Sequence, residues 1–246
     1  MDRLTDIFGF QNPIKISSDV DFPEARKVFE ELSRLGFKSP ILYGGALRDF
    51  YLGKDFRDLD ISLNTDDIFS ECPTIEQIRS WVDQNLPHYN LNPGLGFTTQ
   101  GIKTITDPKT YCHFESSDTH NGTKLDLAFE TPQRDLNTII FHADCTLDSI
   151  AMDKNGNLYA HPLFEKHAEQ MLYVPLKTLE HRNNKTLEQR FNKVHLKHPH
   201  LKICFPEYLP TDLLPDDKGL MWKKTLEVRA KISQKMDDIL HSFVHE

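Results

Sequence analysis

The chain has 246 residues, of which 38% are hydrophobic and 10% aromatic. That composition suits one large or two small globular domains and excludes collagen-like, low-complexity and largely disordered classes. Its net charge of −8, from 29 Lys and Arg against 37 Asp and Glu, argues against a protein that coats nucleic acid by bulk positive charge.

The charge is unevenly spread. Residues 1–174 hold 16 basic and 27 acidic groups, whereas residues 175–246 hold 13 basic and 10 acidic groups and six of the twelve histidines. No apolar run is long enough to span a bilayer, and the start MDRLTDIFGF lacks the apolar centre of a secretory signal, so a cytoplasmic protein without membrane contact is expected. Cys72, Cys112, Cys145 and Cys204 stand at spacings that fit neither a zinc knuckle nor a disulfide framework, and reduced thiols are expected.

In chain order, Pro23 opens a segment in which Ala25, Val28, Phe29, Leu32 and Leu35 recur at helical spacing, with Gly36 as the stop. A short apolar stretch, Pro40 to Tyr43, runs into Gly44-Gly45 and then a second short helix over 46–53. Residues 58–63 alternate polar and apolar, the pattern of a strand with one buried face. Thr74 is the expected cap of a helix reaching Leu86, and strand-like runs follow near 96–105, 110–116 and 123–129. A turn at Asn155-Gly156-Asn157, a strand over Leu158 to Ala160 and a helix from Leu163 to Met171 complete the first part. Two helical blocks, about 176–197 and 220–244, flank a proline-rich connector.

The chemistry is concentrated in Gly44-Gly45-Ala46-Leu47-Arg48-Asp49-Phe50-Tyr51-Leu52-Gly53 and Asp58-Leu59-Asp60. A glycine turn opening a helix offers unpaired amides and a positive dipole end to phosphate. Side chains alternate across a strand, so Asp58 and Asp60 share a face and offer hard oxygen ligands to a divalent metal such as Mg²⁺. Each feature alone is common in solvated turns and strand edges; their conjunction within seventeen residues is not.

That conjunction resembles the signature GG-x-x-R-D-x-x-L-G followed by D-x-D in the head domain of the class II poly(A) polymerase and CCA-adding tRNA nucleotidyltransferase group, within the DNA polymerase β-like superfamily. The resemblance covers roughly residues 38–175. It implies an α/β (α+β) head with a mixed or antiparallel sheet flanked by helices over 1–175, and a small helical neck-like module over 176–246. It implies that Asp58 and Asp60 hold two Mg²⁺ ions (or Mn²⁺), that Gly44, Gly45 and Arg48 contact the triphosphate with Asp49 beside them, and that Asp126 is the third metal-binding acid. A buried structural acid is the alternative for Asp126.

A second block departs from the family. Where its R-R-D-F-T-I-N-A stands, this chain has His142-Ala143-Asp144-Cys145-Thr146-Leu147-Asp148-Ser149-Ile150-Ala151: Asp144 and Thr146 are retained, both arginines are absent, and the asparagine is Asp148. Arg134-Asp135 is a second-ranked match to the same block. Of the base-reading run in the family's neck helix only Glu180 survives, with His181 and Asn184 in the other reading positions, and Arg182, Lys185 and Arg190 are candidates for projecting toward a nucleotide. The resemblance implies a template-independent nucleotidyltransferase that moves NMP from an NTP to a hydroxyl acceptor, most simply an RNA 3′ end, and releases pyrophosphate. Two alternatives stand beside it: transfer to a protein or small molecule, and a nucleotide-binding descendant without catalysis.

Overall fold

The computed structural model describes residues 12–93, 110–116, 124–174, 176 and 192–203. The strands are β1 (Ile14–Ser17), β2 (Ile41–Tyr43), β3 (Asp58–Asn64), β4 (Leu91–Pro93), β5 (Thr110–Ser116), β6 (Lys124–Thr131), β7 (Ile150–Asp153) and β8 (Leu158–Ala160), joined in one sheet in the order β1-β8-β7-β2-β3-β6-β5-β4. β3 and β6 run parallel and the other pairs antiparallel, so the sheet is mixed. The helices are α1 (Pro23–Arg34), α2 (Gly45–Tyr51), α3 (Ile75–Asn85), α4 (Leu136–Phe141) and α5 (Phe164–Glu169), with residues 192–197 forming a further helix, α6.

The odd-numbered residues of β3 build the main core. Leu59, Ile61 and Leu63 are fully buried, and they join Ala25, Phe29 and Leu32 of α1, Ile78 and Val82 of α3, and Leu47 of α2 in one cluster. Burial of each large aliphatic or aromatic side chain contributes about 1.5–3 kcal/mol, which is why a strand of only seven residues is so firmly placed. Helix α1 ends where its sequence predicts. Gly36 takes φ +105°, and the amides of Gly36 and Phe37 return to the carbonyls of Ser33 and Leu32. Thr74 caps α3 as expected, and Gln77 completes a reciprocal capping box.

The even-numbered residues of β3 occupy the opposite face. One end of that face is closed by α4, whose Ile139, Ile140 and Phe141 pack on Ile41 and Ala151. Beside this patch, Ser62 donates to Glu130 at 3.0 Å, Glu130 accepts from the Arg134 Nε at 2.7 Å, and the Arg134 guanidinium lies over the Tyr43 ring. The other end of the face carries Asp58, Asp60 and Asp126.

Residues 192–203 pack on the head. Val194 and Leu201 are buried with Cys145, Leu147, Ala168 and Tyr173, and Lys202–Ile203 (β10) pairs in parallel with Leu172–Tyr173 (β9). Several elements were not anticipated: β1, α4, β7 and the β9–β10 pair. The predicted helix at 163–171 is trimmed to Phe164–Glu169, and Leu176 lies outside helix while 192–197 is helical. The expected strand over 96–105 and the helix over 220–244 lie outside the described residues. No helix among the described residues is long and apolar enough to cross a membrane.

Candidate active site

The parallel pairing of β3 with β6 sets the register of the site. Asp60 lies opposite Asp126, and Asp58 opposite Lys124, so the two strand acids and the third candidate share one sheet face. β5 extends the row, with Glu115 opposite Asp126. On the other side, Tyr43 of β2 lies opposite Asp60, and the chain then turns through Gly44 at φ +79° and ψ −137°. Only glycine tolerates such a backbone readily, and a β-carbon there would stand 3.8 Å from Asp60 Oδ2. The glycine turn and the carboxylates are therefore neighbours in space as well as in sequence.

Burial pushes the Asp60 carboxyl up to about 7, with Asp126 and then Asp58 adding to the rise and Lys193 and His113 opposing it. The neighbouring acids are already engaged. Arg57 Nε donates to Asp58 at 2.8 Å, and His113 Nδ1 lies 2.8 Å from Asp126 Oδ1. Burial disfavours a charged His113, but Asp126 holds its pKa above the ordinary value.

This carboxylate set fits a hard divalent cation in chemistry, since one or two carboxylates beside water and phosphate oxygens are what Mg²⁺ takes, and, beyond burial, neighbouring acids raise the Asp60 pKa and make a charge that such a cation relieves. As the side chains stand, no three acid, His or Cys groups among the described residues converge on one point. Arg57 holds Asp58 through Oδ2 and His113 holds Asp126 through Oδ1, so the second oxygen of each carboxylate is the one a metal would share without displacing these partners.

Arg48 and Asp49, expected beside a nucleotide, pair with one another and with further charged groups. Arg48 is 6% exposed and its guanidinium lies 2.6 Å from Asp49 and 2.5 Å from Asp148. Burial alone would disfavour its charge, but Asp148 and Asp49 outweigh that and raise its pKa. Asp49, 2% exposed, also accepts from Lys197 Nζ at 2.6 Å and lies 3.2 Å from His198 Nε2. Burial favours its neutral form, yet Arg48 and the bonds from Lys197 and His198 hold it below the usual carboxylate range. Gly45 sits against the same guanidinium, 3.5 Å from Arg48 to a β-carbon placed there.

The second block is built into the structure beneath α2. The Thr146 hydroxyl lies 2.8 Å from His167 Nδ1, the Asp144 carbonyl accepts from the Leu176 amide, and Asp148 faces Arg48. His142 ends α4, and Asp135, the alternative match, caps the start of that helix. Glu180, His181, Arg182, Asn184, Lys185 and Arg190 lie outside the described residues.

Sequence reasoning missed Arg57, His113, Glu115, Lys197 and His198. Arg57 directly precedes Asp58 and could have been noticed. The others reach the site by strand pairing or by the docking of α6, for which the sequence carries no local signal.

No family model matches the chain. A CCA-adding enzyme of Staphylococcus haemolyticus strain JCSC1435 is 25% identical over 143 residues, covering 56% of this chain and 31% of that protein. The chain carries a head domain similar to that of CCA-adding enzymes. It spans about a third of the length of this curated relative. Among solved structures, the Thermotoga maritima CCA-adding enzyme complexed with tRNA is 16% identical, covering 81% of this chain and 44% of that one, with a TM-score of 0.49. A Bacillus stearothermophilus CCA-adding enzyme in complex with CTP is 18% identical, covering 72% and 37%, with a TM-score of 0.40.

Proposed function

We propose that this chain is a template-independent nucleotidyltransferase that transfers NMP from an NTP to the 3′ hydroxyl of an RNA. The observation that carries the reading is the register of Asp60 with Asp126 on the face that also holds Asp58, beside the turn at Gly44. Similarity of the head to that of a CCA-adding enzyme supports the same reaction class. Two divalent cations, Mg²⁺ or Mn²⁺, held by Asp58, Asp60 and Asp126 would supply activation of the acceptor hydroxyl and neutralisation of the triphosphate.

The protein's own part is placement and charge. Gly44 and Gly45 let the backbone approach the triphosphate closely, and Arg48, with Asp49 beside it on the same helix, ties α2 to Asp148. The acceptor oxygen bonds to the α-phosphorus, the bond from that phosphorus to the bridging oxygen breaks, and pyrophosphate leaves with the electron pair. The hydroxyl proton passes to a carboxylate of the trio. The acceptor strand is assigned to the segment over 176–246, where basic residues exceed acidic ones and a few phosphate contacts suffice.

The test is incubation of the purified chain with Mg²⁺, RNA and each labelled NTP in turn. Labelled RNA from wild type, with loss in Asp58→Ala combined with Asp60→Ala, supports the reading. NTP binding without transfer, for all four bases and with Mn²⁺ in place of Mg²⁺, overturns it in favour of a nucleotide-binding descendant.

A further inference from the structure

We propose that a cavity between α1 and the turn joining β7 to β8 binds a small organic phosphate, a phosphomonoester carrying an apolar ring or chain. This site lies on the side of the sheet away from the carboxylates, is separate from the nucleotidyltransferase site and needs no metal.

Strand pairing fixes the location. Met152 of β7 lies opposite Leu42 of β2, which lies opposite Ile61 of β3, and all three join the core under α1, whereas Asp58, Asp60 and Asp126 share the other face. The cavity measures about 480 Å³, within the range of about 300–1,000 Å³ that holds small ligands, and its floor is formed by Val20, Phe22, Phe29 and Met152. Its walls are fixed before a ligand arrives. On one side α1 is held by the burial of Ala25, Phe29 and Leu32. On the other, the Asp153 carboxylate accepts from the amides of Asn155 and Asn157 at 2.9 and 3.0 Å, and the Gly156 carbonyl accepts from the Val20 amide at 3.0 Å. Gly156 takes φ +77°, and a β-carbon there would stand 3.1 Å from the Val20 nitrogen, so glycine lets the turn close on the segment before α1. Walls already in place spare a ligand the cost of ordering them.

The rim is cationic in a chain whose net charge is −8. Arg26, Arg34 and Lys154 line the cavity against one carboxylate, Glu30. Residues four apart share a helix face, so Arg26, Glu30 and Arg34 form one stripe of α1, and Lys154 comes from the facing turn. Neither arginine is firmly committed. Arg26 lies 3.6 Å from Asp21, outside the cavity, and Arg34 lies 3.7 Å from Glu30, with the two guanidinium side chains 58% and 77% exposed; surface pairs of this kind are weak and yield to a stronger anion. Lys154 is exposed and makes no ion pair among the described residues. Three cations over one lining carboxylate match a phosphomonoester, which carries about −1.5 to −2 at pH 7, and the planar arginine fork takes two phosphate oxygens at once. The combination of floor and rim sorts ligands: inorganic phosphate has no body to cover the apolar floor, and an uncharged ring has no group for the rim to hold.

The test is calorimetric titration of the full chain, in metal-free buffer, with AMP, hexyl phosphate, inorganic phosphate and adenosine. The expected result is one site per chain that takes AMP or hexyl phosphate at least about 10-fold more tightly than inorganic phosphate or adenosine, and that persists in Asp58→Ala combined with Asp60→Ala. Arg34→Ala combined with Lys154→Ala should weaken it about 10- to 100-fold, and Ser33→Trp, which fills the cavity from an exposed position of α1, should abolish it. Thermal unfolding confirms that these surface variants fold. AMP bound more tightly than hexyl phosphate marks the ligand as a nucleotide, and otherwise it is an alkyl phosphate; the site stands in both cases. Absence of binding by either organic phosphate at millimolar concentration overturns the proposal. So does binding that is unchanged in Arg34→Ala with Lys154→Ala, binding that is lost with the two aspartates, or inorganic phosphate held as tightly as the organic ones.

Discussion

Asp49 ties α2 to residues 197–198 and pairs with the same Arg48 that meets Asp148, so its loss should be felt well beyond α2. In Asp49→Asn the side chain keeps its shape but loses its charge. Arg48 then retains only Asp148, at 2.5 Å, while remaining 6% exposed. A charge-assisted hydrogen bond contributes about 1.5–3 kcal/mol, and breaking a buried ion pair costs about 3–5 kcal/mol. The Lys197 side chain is 35% exposed and can turn to water, so its share is discounted toward the surface value of at most about 1 kcal/mol. A total loss of about 3 kcal/mol follows, or a fall in Tm of about 6–12 °C at this chain length. Thermal and urea unfolding at pH 7 measure it, and a double-mutant cycle with Lys197→Met should show coupling between the two positions. The sign of the pH dependence is set by the depressed carboxyl of Asp49. The folded state releases this proton more readily than the unfolded chain, so the stabilisation is fully present above the unfolded value near ~4 and is lost as pH falls through the lower folded value. The gap between wild type and Asp49→Asn should therefore narrow on acidification below about pH 4. A loss under about 1 kcal/mol at pH 7, or a Lys197→Met effect that is the same with and without Asp49, would refute this account of the cluster.

Two further predictions concern the glycine turn and a buried histidine. Gly44→Ala places a β-carbon on a backbone with φ +79° and should destabilise the fold by about 1–3 kcal/mol, with a steeper loss of NTP transfer because Asp60 is the nearest side chain; unfolding and turnover measured side by side check both. Burial, with His167 adding, drives His161 down to about 4, so the unfolded chain takes up a proton below ~6.5 that the folded chain refuses until pH reaches that value. Wild type should lose on the order of 3 kcal/mol from this group between those limits, and His161→Gln should show a correspondingly flatter Tm profile from pH 7 to pH 4.

The strand with Asp58 and Asp60 was legible because alternation is a local property: Leu59, Ile61 and Leu63 mark the buried face and leave the acids on the other. The capped helices were legible for the same reason, through Thr74 and Gly36. Asp126 could be nominated from its apolar neighbours Leu125 and Leu127, but its place opposite Asp60 depends on β6 lying parallel to β3, which no local pattern encodes. The motif suggested that Arg48 faces phosphate. The structure adds Asp148, one hundred residues on, whose carboxylate pairs with the guanidinium, a long-range contact that the local motif does not encode. Lys197 and His198 were invisible to pattern because their contacts with Asp49 follow from where α6 docks.

The most direct test is pyrophosphate release from NTP with Mg²⁺ and an RNA that ends in either a 3′ hydroxyl or a 3′ deoxy group. Wild type should release pyrophosphate with the hydroxyl end and not with the deoxy end, and Asp58→Ala combined with Asp60→Ala should release none with either. Equal release from both ends, or release that survives loss of the two aspartates, would contradict the assignment of this sheet face as a nucleotidyltransferase site.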